Sequence, residues 1–491
     1  MKTRTAVAGV WSVLFDSPTL LSVLIAGGAA CSSAATFTWD GGGLNSNWLT
    51  AANWNTDIAP ANDGTATLSF SGATRTAATN DFAADTGFAA LNFVNDYSSG
   101  KTSSFSLSGN RITLGGNVTT TLPTAAGTLT DTIALGMLLS GTRTFTVNLS
   151  GSGSTLAAHN LTVSGAIGET GGSQGLIKAG GGTLVLSGAN TYTGPTILSG
   201  GQVTFNSITN VGCGASSFGA PVTIESGAIT NSARLSYTGV STATDRPFVL
   251  TGGNQFDVSS GTSTLTLNGN IKSANNSGFT FRGGGNFVIN GVVDVGSAWL
   301  TRTDGGTVYL NCTTNPFTGN VQCSAGTISI AGIANSGVLS PIGKGNTITL
   351  GQNGWFTTGK LQFTGAAGGA CNRTILVETT ADTTTYGGVI ENIVAGQTLL
   401  LSGPVYPGSS SYTRNPRLQL QGAGDGELSG VVSASIMIEK NSGVGTWTLS
   451  GANTYTGATV VSSGTLLING STHTNSAVTV GASGALGGTG T

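Results

Sequence analysis

The chain has 491 residues, of which only 8% are charged and 79 are glycine, and its formal net charge is −2. That balance offers no basic stripe to a nucleic-acid backbone or an anionic membrane, and it supplies little material for general acid and base groups. A hydrophobic content of 38%, carried in β-branched alternation, favours ordered strands and tight turns over a disordered low-complexity linker.

Residues 1–35 read as an export signal. Lys2 and Arg4 supply the positive end, Leu20 to Ala30 the apolar region, and Ser32, Ser33, Ala34 and Ala35 the small-residue cleavage context. Asp16 interrupts the earlier apolar run. Cys31 invites lipidation, but Gly28-Ala29-Ala30 lacks the large aliphatic residue usual three places before a lipidated cysteine. No later stretch has the apolar length of a membrane-spanning helix. The expectation is an exported chain, extracellular or at the cell surface, with no membrane-spanning segment once mature.

Residues 36–100 form a head of distinct composition, with Trp39, Trp48 and Trp54 among the acids Asp40, Asp57, Asp63, Asp81, Asp85 and Asp96. Only Arg75 opposes them. The tryptophans have two readings: a cap over the open edge and core of the first coil, or a platform for carbohydrate rings, which makes them candidate ligand-binding residues.

From 101 to 491 the pattern is a continuous solenoid marked by a repeat. Residues 182–194 return nearly letter for letter as 445–457, and a degenerate copy passes through 306–310, 315–319 and 325–328. The copies occupy 178–206, 302–330 and 440–469. Strands alternate their side chains with period two, so Leu184 and Leu186, Val308 and Leu310, and Trp447 and Leu449 share an inward face, with Val185, Tyr309 and Thr448 opposite. Val203 and Phe205, Ile328 and Ile330, and Leu466 and Ile468 do the same in a second strand. Thr196 with Leu198, Val321 with Cys323, and Thr459 with Val461 form a third, shorter stretch. Three short strands between glycine turns, at about 20 to 25 residues, read as one rung of a parallel β-solenoid. Uneven spacing of the Leu-Ser-Gly strand ends requires loops of different length to leave the rungs.

Searching the chain for chemistry yields little. Cys213, Cys312, Cys323 and Cys371 are too few for a disulfide framework. Cys312 and Cys323 are the candidates for a single bridge, with buried free thiols as the alternative. The absence of a Cys-x-x-Cys pair and the presence of only two histidines, His159 and His473, argue against zinc. Gly171-Gly172-Ser173-Gln174-Gly175 fits a nucleophile-elbow string by chance in a chain so rich in glycine and serine. Residues 422–428 partly match a calcium-binding nonapeptide, which needs tandem copies, and read as a turn. Tyr192, Phe317 and Tyr455 read as space-filling aromatics, and Asn190, Asn315 and Asn453 as side chains that satisfy turn backbone. No catalytic residue, metal or cofactor is expected.

The Gly-Thr-Leu-x-Leu-Ser-Gly-Ala-Asn-Thr-Tyr-Thr-Gly run, followed by a Gly-x-Val/Leu strand, resembles the autotransporter-associated β-strand repeat, also called the passenger-associated transport repeat. Trp39-Asp40-Gly41-Gly42-Gly43 with Asn47-Trp48 and Asn53-Trp54 resembles the segment that often precedes such repeats. The resemblance implies an all-β, right-handed parallel β-helix passenger shown outside a bacterial cell in association with the outer membrane. The sequence departs from a complete autotransporter in carrying no alternating strands of a translocator barrel. It reaches Thr491 in what reads as the start of another rung. Two functions follow as expectations. The first is a non-catalytic exported passenger or surface scaffold, adhesive toward extracellular polysaccharide or cell-surface components. The alternative is a β-helix polysaccharide lyase or glycoside hydrolase, which needs paired carboxylates. Glu225, Asp245, Asp257, Asp294 and Asp304 are the acids to watch.

Overall fold

Burial follows the sequence alternation strand by strand. In Thr183–Leu186 the two leucines are buried and the residues between them are not, and Thr307–Leu310 and Thr446–Leu449 repeat the pattern. The computed structural model describes residues 35–94, 103–121, 128–149, 159–352, 357–379, 386–408 and 415–491. The export signal therefore falls outside the described residues except for Ala35, as does Asp96. Residues Ala34–Thr491 make one compact unit. Among the described residues, helix is confined to a short turn at Ile224–Gly227 and a 3-10 turn at Ala51–Asn53.

The strands fall into sheets of eleven, four, fourteen and fifteen, and the ladders between them are parallel, as in Leu184 opposite Val203 and Phe256 opposite Phe281. The chain visits three faces in turn. Thr67–Phe70, Ala77–Asn80 and Thr86–Phe88 begin that cycle, Ala90–Val94, Ser106–Gly109 and Ile112–Leu114 repeat it, and each strand pairs with its counterpart one turn earlier. This is a parallel β-helix, with a continuous apolar core formed by the inward alternation of every face. No sheet among the described residues closes into a barrel. Residues of the head enter the same ladders as the later rungs, since Thr36–Trp39 is the first strand of the eleven-stranded sheet that runs to Val293–Asp294.

One expectation needs correcting. Thr183–Leu186 and Gln202–Phe205 pair side by side in one sheet, while Thr196–Leu198 lies in the neighbouring sheet. The outer strands of a copy thus belong to successive rungs rather than to one. Alternation reports which side chains face inward but not which column a strand joins, so the sequence could not separate the two arrangements.

Each copy of the repeat also sits one face further round. The first copy uses the eleven- and fourteen-stranded sheets, and the degenerate copy uses the fourteen- and fifteen-stranded ones. The last lies within the fifteen-stranded sheet, where Thr459–Ile468 turns a corner. It pairs with Met437–Lys440 at one end and Thr446–Leu449 at the other. Trp447 takes the inward position held elsewhere by Leu184 and Val308, and it fits because its neighbour one rung back is Gly426. A Cβ at Gly426 would lie 2.5 Å from the indole ring.

Candidate functional site

The residues most alike among the copies are spent on the fold. Asn190 Oδ1 accepts the N–H of Ile167 at 2.8 Å, Asn315 Oδ1 that of Val293 at 2.8 Å, and Asn453 Oδ1 that of Val432 at 2.9 Å. Ile167 begins the last strand of the four-stranded sheet and Val293 the last strand of the eleven-stranded sheet. Val432 forms an isolated bridge to Val405, in the last strand of the fourteen-stranded sheet. Every copy therefore ends one sheet and covers an N–H that the next strand would otherwise have taken. The amides of Asn190 and Asn315 then reach Ser217 O at 2.7 Å and Pro341 O at 2.8 Å, tying down the long excursions 206–228 and 331–345. The turn-satisfying role read from sequence is thus more specific than a turn.

Tyr192, Phe317 and Tyr455 are fully buried, as expected of space-fillers. The Tyr192 hydroxyl meets Thr196 Oγ1 at 3.0 Å and that of Tyr455 meets Thr459 Oγ1 at 2.7 Å. In the degenerate copy the pair is Phe317 and Val321, so both hydroxyls are missing together and neither is orphaned. Burial pushes the Tyr192 phenol up to about 12.

Sequence reasoning missed a buried cation at one position of each copy. Lys178, Arg302 and Lys440 are fully buried. Lys178 Nζ donates to the carbonyls of Ala179, Gly180 and Gly200 at 2.8, 2.7 and 3.2 Å, the last in the following rung. Lys440 Nζ holds Ser442 O and Gly443 O at 2.6 and 2.9 Å, and Arg302 Nη2 holds Gly283 O at 2.6 Å. Burial lowers all three, Lys178 to about 8. The signal was present as a basic residue at one aligned position in three copies. Arg246 and Arg373 act similarly beneath the excursions: Arg246 donates to Phe218 O and Gly227 O, each at 2.7 Å, and Arg373 to Gly343 O at 2.7 Å and Gly345 O at 2.6 Å.

The candidate ligand platform is not a surface. Trp39, Trp48 and Trp54 are all fully buried. Trp39 meets Trp54 edge-on at 5.2 Å, and Trp48 packs on Phe70 and Phe88 at 5.5 and 5.7 Å. Trp54 Nε1 donates to Trp48 O at 2.7 Å. With their faces occupied, the rings offer nothing for a sugar to stack on. Asp40, Asp63 and Asp81 accept backbone N–H groups of Gly42, Thr65 and Leu49 in the turns around that core.

Cys312 and Cys323 are free thiols. Cys323 is inward and buried, which pushes its thiol up to about 12. Cys312 follows the end of Thr307–Leu310, and in the turn it loses the alternation that was expected to turn it inward, leaving its Sγ 3.6 Å from Thr314 Oγ1. In the elbow-like string, Ser173 Oγ accepts from Thr193 Oγ1 at 3.0 Å, and the adjacent Glu169 carboxylate accepts from Gln174 and Thr193. Asp425 lies in a strand and accepts the Thr446 N–H at 2.7 Å. Among the described residues no three His, Cys, Asp or Glu side chains group to hold a metal ion. Two of the watched acids do converge: Asp257 and Asp304 both lie 3.4 Å from Arg282 Nε, and Asp257 also meets Arg234 at 2.5 Å. Arginines occupy both carboxylates.

The fold is a parallel β-helix that carries a recurring strand motif. The passenger-associated-transport-repeat family model matches residues 176–204 and 442–468, so the chain carries two copies of that repeat. It is similar to the adhesin BmaC autotransporter of Brucella suis biovar 1 (strain 1330), with 30% identity over 354 residues, 70% of this chain. The matched part spans 8% of that relative's length. No solved structure matches significantly.

Proposed function

We propose that the chain is a non-catalytic adhesive passenger, exported and held at the outer face of a bacterial cell in association with the outer membrane. In this reading residues 1–35 direct export, 36–100 cap the helix and 101–491 present outward faces to extracellular polysaccharide or cell-surface components. The observation that carries the proposal is the similarity, over most of this chain, to an autotransporter adhesin. The engagement of Asp257 and Asp304 by arginines supports it, since neither is free for proton transfer. The test is to display the chain on a non-adherent bacterium and count cells retained on host-cell monolayers and polysaccharide-coated plates, while following reducing ends and unsaturated products from the same polysaccharides. Retention without product is expected. Sustained turnover lost on replacing one solenoid carboxylate would overturn the proposal, as would display without retention on any surface.

A further inference from the structure

Among the described residues asparagine precedes glycine three times, at Asn268-Gly269, Asn290-Gly291 and Asn469-Gly470, and each of these asparagines is exposed. Asn353-Gly354 lies outside the described residues. Such a pair carries chemistry of its own, because glycine has no side chain to keep its amide nitrogen away from the carboxamide carbon before it. The nitrogen attacks Cγ, Nδ2 leaves as ammonia and a succinimide closes. Water then opens the ring to aspartate or isoaspartate. The fold treats the three pairs differently at the atoms that react.

Two of them belong to a ladder just beyond Thr264–Leu267, Asn286–Ile289 and Thr307–Leu310. Asn290 Nδ2 donates to Asn268 Oδ1 and Asn311 Nδ2 to Asn290 Oδ1, each at 2.8 Å. That direction makes Asn268 the acceptor end. Its Oδ1 receives a donor where negative charge develops as Cγ becomes tetrahedral, and its Nδ2, with no acceptor among the described residues, departs without breaking a bond. Asn290 Oδ1 is served likewise, but its Nδ2 is held in the ladder. Asn469 Oδ1 accepts the Thr489 N–H at a longer 3.2 Å. The attacking nitrogens differ as well. Gly291 N–H donates to Leu267 O at 3.3 Å and Gly470 N–H to Leu449 O at 3.0 Å, whereas Gly269 N–H meets no acceptor among the described residues. A bonded N–H must give up its acceptor before it can lose its proton. Thr244 pairs with Leu267, which puts Asp245 one rung back from Asn268. Its negative charge opposes that proton loss, but Asp245 is part exposed and its Oδ1 accepts the Val211 N–H at 2.8 Å, so the opposition is weak.

We infer that Asn268 is a self-modification site, converted to aspartate or isoaspartate ahead of Asn290 and Asn469. The reaction consumes one water and releases one ammonia, and every other atom is the chain's own. The aspartate product keeps the ladder, because a carboxylate at 268 still accepts from Asn290 Nδ2, now in a charge-assisted bond. An exposed neutral ladder thereby gains a negative charge in a chain whose formal net charge is only −2. The inference goes beyond the adhesive reading and does not depend on it.

The experiment incubates the full chain at mildly alkaline pH and follows the three sites by peptide mapping, reading the gain of one mass unit and the labelling of isoaspartate by an isoaspartyl methyltransferase. Asn268 should convert roughly fivefold or more faster than Asn290 and Asn469. In concentrated urea the three rates should converge to within about twofold, because the hydrogen bonds that separate them are gone. Asn290→Ala removes the donor from Asn268 Oδ1 at an exposed position and should slow conversion at 268 about threefold or more, with the unfolding midpoint confirming that the variant is folded. Should that variant unfold, Asn290→Gln tests the same donor from a displaced position and should also slow the reaction. Equal native rates, faster conversion at Asn290 or Asn469, no conversion at Asn268, a preference that persists in urea, or an unchanged rate in the folded variant would overturn the inference.

Discussion

Replacing Lys178 by methionine leaves an unbranched side chain one atom shorter and removes the buried ammonium, and two opposed effects decide the outcome. The lysine titrates at about 8 instead of 10.5 because burial disfavours its charged form, a penalty on the order of 3 kcal/mol at neutral pH. Methionine relieves that. It also strips three carbonyls, those of Ala179, Gly180 and Gly200, of a charged donor, at about 1.5–3 kcal/mol each. Lost bonds outweigh relieved burial, and Lys178→Met is expected to cost roughly 2–4 kcal/mol at pH 7. The pH dependence carries the sharper test. Between pH 8 and 10.5 the unfolded chain keeps a proton that the folded chain has released, so the wild-type protein gains stability as pH rises through that window. The variant lacks this group and gains nothing from it. The gap between the two proteins should therefore widen by about 2 kcal/mol between pH 7.5 and 9.5. Other titrating groups cancel in the difference. Urea unfolding of both proteins followed by circular dichroism at the two pH values measures it, and a gap that is absent, or that closes on raising the pH, would refute the claim that burial disfavours the charged form of Lys178.

Leu449→Asp places a carboxylate in the core and should cost several kcal/mol, whereas Thr448→Lys, outward and in register with Glu427, should stay within about 0.5 kcal/mol; equal melting temperatures would show the strand register to be wrong. Tyr192→Phe should cost about 1 kcal/mol by orphaning Thr196 Oγ1. The double change to Phe and Val, the pair already present at 317 and 321, should recover most of that loss, and a double-mutant cycle without coupling would exclude the pairing. Maleimide labelling of the native chain at pH 7.5 should modify Cys213, which is exposed, well before Cys323 and Cys371, which are buried with their thiols pushed up. A peptide bridging Cys312 and Cys323 in the non-reduced digest would contradict the free thiols.

The inward faces of all three copies were legible in the sequence because an internal repeat aligns with itself, and alternation in one copy is checked by the others. Leu186, Leu310 and Leu449 are buried as read. The column each strand joins was not legible, because the 206–228 and 331–345 excursions break the spacing and local alternation carries no long-range register. The sequence left the tryptophans two readings, cap or sugar platform, because composition does not say which way a ring faces; here the carboxylates of Asp40, Asp63 and Asp81 bond turn backbone while the rings face inward. The pairing of Asp257 and Asp304 with Arg282 escaped notice because the three come from separate turns of the coil and meet only when rungs stack.

Because each repeat ends a different sheet, the interruptions in hydrogen bonding are staggered along the coil like joints in brickwork. Where the four-stranded sheet stops beside Asn190, the eleven- and fourteen-stranded sheets continue across the gap, and the same holds in turn at Asn315 and Asn453. Long loops can thus leave the coil at such a break without all three walls being cut at one height. A pulling force or a local opening that reached one seam would still meet intact ladders on the other faces. Insertions of varied length are therefore best tolerated where the 206–228 and 331–345 excursions already leave the coil, after Gln202–Phe205 and Gly326–Ile330, which makes those positions natural places for surface variation in a protein whose core permits little.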